Sequence, residues 1–74
     1  MKEFDFELMS KRLKKIRKQS GLTQAEVGRH FGVTKQAVCW MENKPQVLTI
    51  ERINSLAELY GCRPTDFFAE SECN

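Results

Sequence analysis

The sequence predicts an all-α domain of five short helices, and three observations carry the prediction. Apolar residues recur at three- and four-residue spacing along successive segments, the period of a helix with one buried stripe. Asp5, Thr23, Thr34 and Thr49 stand where a side-chain oxygen can take an unpaired first-turn amide. Gly21, Gly32 and Gly61 stand where helices should close. Seventy-four residues allow one domain, spanning 1–74, near the lower limit for folding on an apolar core alone.

Helix 1 is expected from Asp5 to about Ser20, with Phe6, Met9, Leu13 and Ile16 on its buried face. Glu7 and Lys11 form an i,i+4 pair in the favourable orientation. Leu22 returns to the core after Gly21. Thr23 caps helix 2, and Glu26 three residues later completes a capping box. Val27 and Phe31 supply the helix 2 stripe, and Gly28 is small where helix 3 crosses closely. The chain reverses at Gly32, where a Cβ would resist positive φ. Thr34 caps helix 3, which buries Val38 and Met41 and stops at Pro45 because proline cannot continue it. Gln46 to Leu48 is a short connection. Thr49 caps helix 4, expected to bury Ile50, Ile53, Leu56, Ala57 and Tyr60. Pro64 suits the first turn of a last short helix, where its missing amide hydrogen is not needed. That helix carries Phe67 and Phe68, and 70–74 reads as a frayed tail.

Composition narrows the function. A hydrophobic content of 41% is that of a globular chain, not a disordered one. No apolar run approaches a membrane span and no signal peptide opens the chain, so a cytoplasmic protein with no membrane partner is expected. Cys39, Cys62 and Cys73 form neither an even disulfide set nor a C-x-x-C pair, and with one histidine a zinc site is not expected. No cofactor is called for. No nucleophile–base pair, carboxylate pair or phosphate-cradling glycine loop suggests an enzyme.

The formal charge of +2 conceals a strong asymmetry. From Lys11 to Lys44 nine Lys or Arg stand against Glu26 and Glu42, a net +7, while the remainder carries −5. One end of the molecule is therefore suited to a polyanion. Within that basic stretch, Gln24 to Asn43 reads as two short helices around a tight turn, the pattern of a helix-turn-helix whose second helix enters the major groove. Lys11, Lys14, Lys15 and Lys18 precede it and are read as attracting phosphate.

The run RLKKIRKQSGLTQAEVGRHFGVTKQAV, with Glu42-Asn43 and IERINSLAELYGC, resembles the phage repressor and Cro family, also called Xre, over roughly residues 8 to 68. The Gly-Leu-Thr-Gln entry and the Gly-Val-Thr turn are specific in combination. The resemblance implies a five-helix, lambda-repressor-like DNA-binding domain that acts as a homodimer on a palindromic double-stranded operator. It implies that Gln24 bonds a backbone phosphate with help from the helix N-terminus. Thr34, Lys35 and Gln36 would reach base edges, with Cys39 and Trp40 one turn later on the same face. Asn43 and Lys44 would touch phosphate where the chain leaves the groove, and Lys18 would contribute from helix 1. Arg17 and Glu42 match an ion pair of related repressors that, if partly buried, would tie helix 1 to the reading head and cost roughly 3 kcal/mol on loss of one partner.

Two departures from the family pattern stand out. Met41 occupies the place of a core tryptophan, and Trp40 falls one step earlier, at an outward position. An outward indole would pack on a thymine methyl or sugar, and a local shift that turns it inward is the alternative. Pro45-Gln46-Val47-Leu48 lacks the arginines that some relatives aim at the minor groove. Phe67 and Phe68 cannot easily both be buried in so small a core, so one is expected to cap it while the other joins a partner subunit, and the pair is the candidate dimer interface. Phe4 raises the same question at the other end. A protein-interaction module on the same fold, such as the antitoxin of a toxin pair, is the competing function, and a protein partner would then replace DNA.

Overall fold

The computed structural model describes residues 5–68. Among these residues there are four α-helices: α1 (Phe6–Gln19), α2 (Gln24–Phe31), α3 (Lys35–Asn43) and α4 (Ile50–Tyr60). Single 3-10 turns occupy Pro45–Val47 and Pro64–Phe67. The expected fifth α-helix is therefore a turn of four residues, Pro64 at its start and its amides bonded three residues back, Asp66 to the Arg63 carbonyl and Phe68 to Thr65. Cys73, Phe4 and the tail at 70–74 lie outside the described residues.

Each helix begins with the device its sequence specifies. Asp5 Oδ1 accepts from the Leu8 amide at 3.1 Å. The capping box of α2 is complete: the Glu26 amide donates to Thr23 Oγ1 at 3.1 Å and the Thr23 amide to Glu26 Oε1 at 2.8 Å. Thr34 Oγ1 accepts from the Ala37 amide at 3.0 Å, and Thr49 Oγ1 from the Arg52 amide at 3.1 Å. With its caps set, each helix turns its apolar stripe to a shared core of Met9, Leu13, Val27, Val38, Leu56, Ala57, Tyr60 and Phe67.

Between α2 and α3 the backbone turns at Gly32, with φ 72° and ψ 31°. The Val33 amide then donates to the Gly28 carbonyl at 2.8 Å, so the corner folds back on the last turn of α2. Gly28 is required by that same corner. A Cβ there would lie 2.6 Å from the Val33 carbonyl oxygen, so the close approach is to the turn backbone rather than to α3 itself.

Two apolar expectations fail for one reason. Ile50 is 75% exposed and Phe6 is 41% exposed. Each is the first residue of its helix, and Cα–Cβ bonds tilt toward the helix N-terminus, so both side chains point past the end of the core. Phe67 and Phe68 divide as their crowding requires. Phe67 is fully buried, edge-on to Tyr60 with ring centroids 6.3 Å apart, and Phe68 is exposed. The expectation of Phe67 in a dimer interface is thus corrected: it is a core residue with no surface to offer.

Candidate nucleic-acid interface

Helix α3 has two unlike faces. Val38 and Glu42 are buried, with Met41 partly buried beside them, and these hold the helix to the body of the domain. Opposite them, Gln36, Trp40 and Asn43 are exposed at helical spacing, and Thr34, Lys35 and Lys44 are exposed at the two ends. Trp40 is 54% exposed, as the outward expectation has it, and Met41 takes the inner position. Cys39 is half-buried at the edge of this face, where its Sγ accepts from Asn43 Nδ2 at 3.3 Å. That contact holds the Asn43 side chain against the helix.

The N-termini of α2 and α3 open on unpaired amides. At α2 the capping box satisfies Thr23 and Glu26, leaving the Gln24 and Ala25 amides without a partner among the described residues. At α3 the amides of Lys35 and Gln36 stand likewise open beyond the Thr34 cap. Such amides, at the positive end of a helix dipole, suit an anion. Glu26 is held below its ordinary carboxylate value, first by the bond from the Thr23 backbone and then by the Thr23 side chain, so it stays an anionic cap.

The helix-turn-helix is fixed to α1 by a buried polar joint. Arg17 Nε donates to Glu42 Oε2 at 2.6 Å, and its terminal nitrogens reach Glu42 Oε1 at 3.4 Å and the Leu22 carbonyl at 2.9 Å. Arg17 is 7% and Glu42 3% exposed, which makes this pair the strongest polar link between α1 and α3. Gln24 Nε2 adds a bond to Glu42 Oε1 at 3.0 Å. Sequence reasoning identified the arginine and the glutamate but missed the glutamine link, because nothing in the local pattern relates residues eighteen apart in the chain.

Lys11, Lys14, Lys15 and Lys18, at i, i+3, i+4 and i+7, share one face of α1. Lys11 and Lys14 line a cleft of about 420 Å³ with Asn43 and Gln46, beside the exit of α3, and Lys18 continues their row at i,i+3,i+7 spacing. Lys15, one turn on from Lys11, flanks the same arc and lines a second cleft with Arg12, Tyr60, Cys62 and Asp66. His30 is exposed and meets Phe31 edge-on at 4.8 Å, while Arg52 covers the Phe31 ring at 4.7 Å, a cation–π contact from α4. Burial, and secondarily Asp66, push the Cys62 thiol up, so it stays protonated. Among the described residues no group of three His, Cys, Asp or Glu is placed to hold a metal, and no helix is long and apolar enough to cross a membrane.

A family model described as a helix-turn-helix domain matches residues 8–67, nearly all of the described chain. The chain belongs to the Xre-type helix-turn-helix domains. It is similar to the HTH-type transcriptional regulator PuuR of Escherichia coli strain K12, at 34% identity over 62 residues. The same-named protein of Shigella flexneri matches with the same identity. Those 62 residues are 84% of this chain but 34% of either regulator, so the helix-turn-helix domain spans about a third of the relatives' length. No solved structure matches it.

Proposed function

We propose that this helix-turn-helix domain is the DNA-reading part of a sequence-specific transcription regulator, acting as a homodimer on a palindromic operator. The observation that carries the reading is the outer face of α3, where Gln36, Trp40 and Asn43 stand exposed while Val38 and Glu42 anchor the opposite face. In this reading Thr34, Lys35 and Gln36 meet base edges, Gln36 with the geometry for adenine and Lys35 for guanine, and Cys39 and Trp40 pack one turn on. Gln24, Lys18, Asn43 and Lys44 meet phosphates and set the register. Two half-sites would lie about one helical turn, ~34 Å, apart. The likeness to a transcriptional regulator supports the reading.

Selection of bound duplexes from a random pool tests it, followed by titration of the selected duplex at several salt concentrations. The expected result is a two-fold symmetric consensus and an affinity that falls steeply and linearly on a log–log salt plot. Gln36→Ala should relax base preference by roughly 1–3 kcal/mol, while Lys44→Ala should weaken all sequences alike. No enrichment, or an affinity flat in salt, would contradict it.

A further inference from the structure

The Glu42 carboxylate serves three donors from two other elements. Its Oε2 takes Arg17 Nε, and its Oε1 is shared between the Arg17 terminal nitrogen and Gln24 Nε2. A carboxylate paired with a guanidinium only accepts hydrogen bonds. The Gln24 amide must therefore present its nitrogen inward, since a flipped carbonyl would face the carboxylate oxygen. Its NH2 group carries two protons, one directed at Glu42 and the other free to point outward. That second proton lies at the start of α2, beside the open amides of Gln24 and Ala25.

We infer that Glu42 is a positioning residue for phosphate capture: by fixing the Gln24 amide it aims one N–H, together with the first-turn amides of α2, at a DNA phosphate. The inference rests on the DNA-reading function proposed above. It also has a mechanical consequence, because Glu42 lies in the last turn of α3. The phosphate anchor on α2 and the base-reading helix then share one rigid joint, and α1 holds that joint through Arg17. A phosphate seated at Gln24 sets the depth and angle of α3 in the groove without a separate adjustment.

The test combines NMR and binding. In the free protein, one Gln24 side-chain amide proton should be shifted and slow to exchange, and the other should move when a mixed-sequence duplex is added. Fluorescence anisotropy on the same duplex should show Gln24→Met weakening binding roughly tenfold in the native background. The comparison background replaces the buried pair together, Arg17→Met with Glu42→Leu, which avoids stranding one charge. There Gln24→Met should cause no further loss. An equal loss in both backgrounds would show that Gln24 acts without Glu42. Should the comparison background fail to fold, the native spectrum decides: two averaged, fast-exchanging Gln24 protons overturn the inference. Absence of duplex binding by the native protein overturns the DNA reading itself, and a protected amide would then mark a bond of structural use only.

Discussion

Two joints between elements help hold this domain together, and they are chemically opposite. At one, Tyr60 and Phe67 meet edge to face, closing α4 and the last 3-10 turn over the core. At the other, Arg17, Glu42 and Gln24 link α1, α3 and α2 through buried charge. The aromatic joint gains stability from area removed from water and is tolerant of direction. The ionic joint gains less, because both charges lose their hydration, but it constrains orientation tightly. The two joints are neighbours, since Tyr60 and Glu42 line the same small cavity, but only the directional one includes a residue of the candidate reading helix. Stability and aim are thus supplied by chemically different contacts within one very small core.

Substitutions can break that contrast, beginning with the largest expected effect. Phe67→Ala should cost about 3–5 kcal/mol, enough to unfold much of so small a domain, and thermal melts followed by circular dichroism measure it. Glu42→Ala should cost a comparable amount, about 3–5 kcal/mol, because Arg17 is then buried without its counter-charge. The two joints separate when the ionic one is replaced by matched apolar side chains. Near-native stability is expected for that pair, whereas no replacement smaller than phenylalanine should restore position 67.

Gly28→Ala sharpens the role of the corner between α2 and α3. The added methyl must displace the Val33 carbonyl, at an expected cost of about 1–3 kcal/mol in urea titrations. Thr34→Ala should cost about 1 kcal/mol through loss of the α3 cap. The smallest effect concerns pH. Because Glu26 titrates below its ordinary value in the folded state, its cap contributes above the ordinary carboxylate range and is lost as pH falls through the lowered value. Glu26→Gln should therefore lower stability slightly at neutral pH, with the difference from the native chain vanishing as pH falls through that lowered value.

Local chemistry made most of the fold legible in the sequence. Thr23 with Glu26, Thr34 and Thr49 all cap as their positions imply, because capping involves residues only three apart. Arg17 and Glu42 were legible through resemblance alone, since their contact spans twenty-five residues. Ile50 and Phe6 were misplaced because periodicity reports the face of a helix and not where along its axis the core ends. The last helix was overestimated because Pro64 marks a start without fixing a length. Within the candidate site, the exposed row on α3 follows from its stripe, but the Gln24–Glu42 bond depends on how helices from distant sequence pack, which spacing does not encode.

The central claim is that the outer face of α3 meets DNA. Trp40 lies on that face, 54% exposed, and is the chain's one tryptophan. Titrating the protein with its selected duplex while recording indole fluorescence tests the claim directly. The account predicts a saturable quench or shift that tracks binding measured by anisotropy; an unchanged spectrum at saturation would show that this face of α3 lies away from the duplex.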